Sequence, residues 1–161
     1  MSVDDRTYRK ALGSFPTGVT VVTTVDGTGA PAGVTVSAFS SLSLDPPKVL
    51  FCLGTHTSSL EAFRSGPVSI SILAEEQQDL SIRFASRGVD KFADLEMDRS
   101  ADGVPVPKDT LARLDCDVEQ VVESGDHLIV ICLVKALSFQ TGGQPLVYFR
   151  GTYNMIGRCL P

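Results

Sequence analysis

A chain of 161 residues has room for one compact domain, residues 1–161, built on one sizeable core. The net charge of −5, with no stretch that gathers Lys and Arg into a basic stripe, speaks against nucleic acid as a partner. No run of about 18 apolar residues occurs, and MSVDDRTYRK at the N-terminus lacks the apolar core of a signal peptide, so a soluble, cytoplasmic protein with no membrane partner is expected.

Hydrophobic residues make up 43% of the chain and lean towards Val, Ile and Leu, which favours β-structure. Asp4 or Asp5 caps a first helix through Leu12, with Tyr8, Ala11, Leu12 and Phe15 at helical spacing and Gly13 as its stop. Phe15-Pro16-Thr17-Gly18 then turns the chain into a strand at 19–25, VTVVTTV, dense in β-branched residues. Asp26-Gly27-Thr28-Gly29 supplies hairpin chemistry, and the return strand is expected over 33–42. Alternation puts Val34, Val36 and Ala38 on one face of it, and Thr35, Ser37 and Phe39 on the other.

Asp45-Pro46-Pro47 ends that strand, because neither proline can donate to a ladder, and a further strand follows at 49–53. Ser58-Ser59-Leu60-Glu61 has the spacing of a capping box, which predicts a short helix through Arg64, stopped by Gly66-Pro67. At 68–73, Val68, Ile70 and Ile72 alternate with Ser69 and Ser71, the pattern of a strand with one buried face. Glu75, Glu76 and Asp79 load the first turns of a helix reaching about Phe84. Residues 87–109 read as a long irregular loop, of a length often found in lids.

Two long strands follow at 114–123 and 127–139, joined by Ser124-Gly125-Asp126, and short ones are expected at 146–149 and 153–156. Nearly every residue of 127–137 is apolar, so both faces of that strand are expected to be covered. So small a chain has little else to cover an outer face, and this two-sided hairpin predicts a homodimer. Cys52, Cys116, Cys132 and Cys159 lie far apart and form no C-x-x-C pair, and Cys52 and Cys132 sit in apolar runs as buried reduced thiols.

No G-x-S-x-G elbow, H-E-x-x-H pair, G-x-x-x-x-G-K-[ST] loop or G-x-G-x-x-G turn occurs, which argues against serine hydrolase, zinc, P-loop and Rossmann chemistry. What remains suits a flat, phosphorylated, amide-rich ligand. Thr35 and Ser37 offer hydroxyls beside small Ala38, where a planar ring can approach the backbone, although an edge face wetted by water fits the same spacing. Gly54-Thr55-His56-Thr57-Ser58-Ser59 runs into a helix start and reads as a phosphate cradle or an ordinary N-cap loop. Arg83 adds a positive charge to that end, or makes a surface salt bridge.

Five motifs, in this order over nearly the whole chain, resemble the short-chain flavin reductases of two-component flavin-dependent monooxygenases. They are Phe15-Pro16-Thr17-Gly18-Val19, TVSAFSSLSLDPP at 35–47, Arg83-Phe84-Ala85, Gly125-Asp126-His127 and Pro145-Leu146-Val147-Tyr148. The resemblance implies a mainly β fold, an FMN-binding split β-barrel of Greek-key type with two or three short flanking helices. It implies that Thr35, Val36, Ser37, Ala38 and Phe39 hold the isoalloxazine edge by main-chain groups. Cys52, Leu53, Gly54, Thr57, Ser58 and Ser59 then receive the ribityl phosphate, and Arg83, Phe84 and Ala85 add contacts on that side. His127 matches a histidine associated with the nicotinamide, with Thr17 and Tyr148 near it. Where this family usually has a small residue, often Gly, this chain carries Cys132.

The function so implied is an NAD(P)H:flavin oxidoreductase that reduces FMN or FAD by hydride transfer from NADH or NADPH. No catalytic side chain and no metal are needed, since the flavin N5 carries the chemistry. The reduced flavin would serve a separate flavin-dependent monooxygenase. The same barrel also hosts non-catalytic flavin carriers and oxidoreductases that retain their flavin.

Overall fold

The computed structural model describes residues 3–157, and Cys159 lies outside them. Helix α1 (Asp5–Leu12) starts where Asp4 accepts a hydrogen bond from the Thr7 N–H at 3.0 Å and ends at Gly13, as the sequence predicts. Its apolar spacing does not mark a core face. No α1 residue is buried, and Tyr8, Leu12 and Phe15 are exposed, because no other described residue packs over them.

Strand β1 (Thr17–Gly18) leads into β2 (Thr20–Val25), which lies between β3 (Pro31–Val36) and β6 (Pro67–Ile72) in the main sheet. Sitting between two strands buries its threonines as well as its valines. Thr20 donates to the Val36 carbonyl at 2.8 Å and Thr24 to the Pro67 carbonyl at 2.7 Å, which keeps the buried hydroxyls satisfied. The β2–β3 turn is closed by the Asp26 carboxylate, which accepts from the N–H groups of Thr28 and Ala30 and from the Thr28 hydroxyl.

The single strand expected over 33–42 is two strands, β3 and β4 (Phe39–Leu44). The former pairs with β2 and the latter with β5 (Pro47–Gly54), so the chain leaves one edge of the sheet and joins the other at Ser37-Ala38. Alternation therefore stops at the break: Val36 is buried, Ser37 and Ala38 are exposed, and Phe39 packs on the core.

The capping box at Ser58 does not form. A four-residue 3-10 turn, Leu60–Phe63, follows Ser59, whose left-handed backbone (φ 58°) is not the extended geometry from which a hydroxyl caps the next N–H groups. In β6 the serine face is buried too, in contrast to the one-sided strand expected. The segment 87–109 explains this. It is no structureless lid but carries a hairpin, β7 (Met97–Arg99) and β8 (Pro105–Pro107), whose buried Val104 and Val106 help cover β2 and β6.

Between β6 and that hairpin, a 3-10 turn at Glu75–Gln77 runs into helix α2 (Gln78–Ala85), with the acidic first turns that the dipole favours. The long pair β9 (Ala112–Ser124) and β10 (His127–Phe139) turns at Gly125 (φ 60°). Leu128, Val130 and Cys132 of β10 are buried and alternate with half-buried residues, but from Lys135 onward the strand is exposed, with Leu137 63% and Phe139 69% accessible. Its two faces are thus not both covered within one chain.

The main sheet runs β3-β2-β6-β9-β10-β5-β4, and no ladder joins its two edge strands among the described residues. A small sheet, β1-β11-β12, adds β11 (Val147–Phe149) and β12 (Thr152–Asn154). One core joins Val22 and Val36 from one half of the main sheet to Phe51, Leu128 and Val130 from the other, and a second gathers Val19, Val21, Leu73, Phe84 and Leu146. The second core touches β3 at Gly33, where an added Cβ would collide with the Phe84 ring and stand 3.1 Å from Phe92. Replacing Gly33 with Ala is expected to destabilise the fold by about 1–3 kcal/mol. Urea unfolding checks this, and an unchanged midpoint would show that the rings yield freely.

Candidate functional site

The crossing at Ser37-Ala38 exposes main chain beside a strand that would otherwise be paired. The Cys52 N–H donates to the Ala38 carbonyl at 2.9 Å, so β5 carries the crossing on one flank. On its other flank Gly54 stands opposite His127, and a Cβ at Gly54 would lie 3.7 Å from His127 Nε2. Ala38, Cys52, Gly54 and His127 thus occupy neighbouring positions across the end of β5. Thr55 N–H reaches the Asp126 carbonyl and Thr57 N–H the Gly54 carbonyl, both at 2.9 Å, which folds the segment 54–57 back on this end.

His127 Nδ1 lies 2.7 Å from the Asp126 carboxylate, and the ring is half-exposed. That hydrogen bond holds Asp126 below the usual carboxylate range. It also fixes the ring and leaves Nε2 unengaged on the Gly54 side. Burial raises the Cys52 thiol pKa, and burial first, then nearby acids, pushes Cys116 up to about 12, so neither is a ready nucleophile.

Two cavities flank β3. The first, about 150 Å³, is lined by Val19, Thr35, Ser37, Ser81, Ala85, Tyr148 and Tyr153. Thr35 donates its hydroxyl proton to the Ser81 carbonyl at 2.6 Å, so it ties α2 to β3 and keeps only lone pairs for a ligand. The Ser81 hydroxyl and the Tyr153 phenol lie 2.8 Å apart, and Tyr153 meets Tyr148 edge to face at 5.3 Å. Thr17 reaches this region as the strand partner of Tyr148. Ser81 and Tyr153 escaped the sequence reading. The spacing of Ser81 and Ala85, one helical turn apart, was their only signal.

The second cavity, about 260 Å³, brings Ser58 and Ser59 against Gly33, Lys91 and Phe92. Lys91 Nζ donates to the carbonyls of Phe84 at 2.8 Å and Gly33 at 3.0 Å, and burial lowers its pKa. An ammonium has three donors, so one remains for the cavity. Lys91 was also missed, because a lysine in a polar loop carries no mark of partial burial. Asp90 makes the turn that aims it, accepting from the N–H groups of Phe92 and Ala93.

Other expected contacts are not side-chain contacts of these cavities. Val36, Leu53 and Phe84 are buried in the cores, leaving only their main chain to a ligand. Arg83 donates to the Ala93 carbonyl at 2.6 Å and so secures the loop. Thr17 and Tyr148 belong to the small sheet and His127 to the main one. Among the described residues no cluster of His, Cys, Asp or Glu could hold a metal, and no helix is long and apolar enough to cross a membrane.

The arrangement offers small side chains, open main chain, aromatic walls and a lysine-serine corner. These are means of holding a ring and an anion. The chain is 42% identical, over 96% of its length and 80% of the relative's, to the reductase subunit of a flavin-dependent monooxygenase of Rhodococcus jostii. Its fold is similar to that of a nitrilotriacetate monooxygenase component B homologue from Mycobacterium thermoresistibile, with a TM-score of 0.91 and 41% identity, covering 98% of this chain and 90% of that one. It is also similar to an NADH:FAD oxidoreductase of Streptomyces globisporus, with a TM-score of 0.89 and 31% identity over 99% of both chains. The model of the flavin reductase like domain matches residues 12–157, and the chain belongs to that family of flavin reductases.

Proposed function

We propose that this flavin reductase draws hydride from NADH or NADPH, reduces FMN or FAD, and hands the reduced flavin to a separate monooxygenase. The observation that carries the reading is the crossing at Ser37-Ala38 beside Cys52 and Gly54, with a lysine-serine cavity at the Gly33 end of β3. The residues fit a flavin. Ser37, Ala38 and Gly54 leave the backbone open to a ring, and Lys91 with Ser58 and Ser59 matches a phosphate in charge and donors. The bound flavin supplies the ring that accepts hydride.

The chain's own task is then to bind and orient. Main-chain groups of 35–39 and 52–54 meet the ring edge, and Thr57, Ser58, Ser59 and Lys91 hold the phosphate. Arg83, Phe84 and Ala85 support that corner through the α2–loop contact. His127, pinned by Asp126, presents Nε2 to the nicotinamide donor, while Tyr148 and Thr17 wall the other side. Holding two rings in a reactive stack is the main contribution a protein makes to such a transfer. The name of the Streptomyces globisporus relative, an NADH:FAD oxidoreductase, supports a nicotinamide donor.

The homodimer is part of the same proposal. Leu42, Leu44, Leu137 and Phe139 are exposed on β4 and β10, and Tyr8, Leu12 and Phe15 on and after α1. A second copy of the chain would cover such faces and bring His127 of one protomer towards Tyr148 of its partner. The consecutive edge strands β3 and β4, with both halves of the main sheet packed on one core, support the split-barrel architecture. A cytoplasmic setting fits the free thiols of Cys52, Cys116 and Cys132.

Steady-state oxidation of NADH and NADPH with riboflavin, FMN and FAD as acceptors tests the function. Inertness with every pair would leave only a flavin carrier. His127→Ala is expected to raise the KM for the nicotinamide by about tenfold and to change flavin affinity less; an unchanged KM defeats that role. Lys91→Gln is expected to weaken FMN by about tenfold while barely affecting riboflavin, which lacks the phosphate. Equal losses for both would make Lys91 purely structural. Sedimentation at micromolar concentration decides the dimer, and a monomer there removes it.

A further inference from the structure

Arg6, Arg9 and Lys10 stand three and four residues apart on α1, so they share one face, where like charges repel. They line a cavity of about 840 Å³ together with Gly13, Ser14 and Arg150, and Asp5 is its one acid. Its walls are joined: the Arg150 N–H donates to the Gly13 carbonyl at 2.9 Å, which fastens the β11–β12 turn to the end of the helix. The Arg150 guanidinium lies 5.0 Å from the centre of the Phe149 ring.

The charge pattern is selective. Lys48, Arg64, Lys108, Arg113 and Lys135 pair with acids. Arg83, Lys91 and Arg99 donate to backbone carbonyls. Among the described residues, the lysines and arginines whose side chains have no such partner are Arg87 and the four that line this cavity. An acidic chain that pairs all but one of its other described cations leaves these four converging on one space of ligand size, an arrangement that calls for an anion.

The cavity neighbours the site described above along the chain. Tyr148 walls the ring cavity and Arg150 the cationic one, two residues further along the same hairpin, or about 7 Å of extended chain. We propose that the cationic cavity binds the adenosine diphosphate half of a dinucleotide whose ring end lies at Tyr148. This rests on the reading of the Thr35–Tyr148 cavity as the ring end of the site. A dinucleotide carries a flat ring and a diphosphate on one molecule, and the Lys91 corner at Gly33 is left for the flavin phosphate. NAD(P)H and FAD share the adenosine diphosphate group, and mononucleotides lack it.

The test is the triple variant Arg6→Gln, Arg9→Gln, Arg150→Gln, whose helix has no buried residue, with thermal unfolding as the check on folding. Kinetics are compared for NADH against reduced nicotinamide mononucleotide, and for FAD against FMN. A rise of about tenfold in the KM for NADH, with the mononucleotide donor moved less than about twofold, supports the proposal with the donor as occupant. The same split between FAD and FMN supports it with the flavin's adenosine half as occupant. Parallel changes within each pair, or none, overturn it. If the unaltered protein oxidises neither donor, the function reading fails. Calorimetric titration with ADP then decides the cavity alone: binding weakened about tenfold in the variant supports it, and equal or absent binding overturns it.

Discussion

The rings of Phe84 and Phe92 occupy the space that a side chain at position 33 would need. They meet edge to face at 5.2 Å, one from α2 and one from the loop that follows it, and together they press both elements onto β3. Both cavities of the candidate site depend on this approach. Thr35 and Ser81 line the first because α2 lies close enough for their 2.6 Å hydrogen bond. Lys91 lines the second because the loop lies close enough for its ammonium to reach the Gly33 and Phe84 carbonyls. A packing contact between two apolar rings and a glycine thus sets the positions of the polar groups.

Electrostatics divides the surface in a similar way. The chain is acidic overall, yet cations line the two neighbouring cavities: Lys91 at the Gly33 end of β3, and the α1 group with Arg150 two residues along the chain from Tyr148. The ring cavity itself has tyrosines and small residues, with no ionised group lining it. An uncharged ring cavity with cationic neighbours is complementary to flat rings that carry phosphates. A transfer between two bound rings needs only their orientation.

Local chemistry made several elements legible. Asp4 as a helix cap, Asp26 as a turn acceptor and the acidic start of α2 were readable because each acts within a few residues of itself. The β9–β10 hairpin was readable for the same reason. The single strand over 33–42 was misread, since nothing local to Ser37 reveals that β3 and β4 belong to opposite edges of one sheet. The serine face of β6 was misread because its cover, the β7–β8 hairpin, comes from a segment whose prolines and glycines imitate an unstructured loop. Ser58 has the spacing of a capping box, but the 3-10 turn follows Ser59, whose left-handed backbone forms no side-chain cap.

By itself the sequence determined the class of the fold, most of its strands, and the motif order that marks a flavin reductase, because periodicity, turn chemistry and motifs are properties of neighbouring residues. It also named Thr35, Ser37, Ser58, Ser59, Ala85 and Tyr148 among the site residues. Only the tertiary structure divided these between two cavities and added Ser81, Lys91 and Tyr153. It also drew Arg150 against α1, far away in sequence. The physical reason is the same in each case: partial burial and the convergence of charges depend on which distant segments pack together.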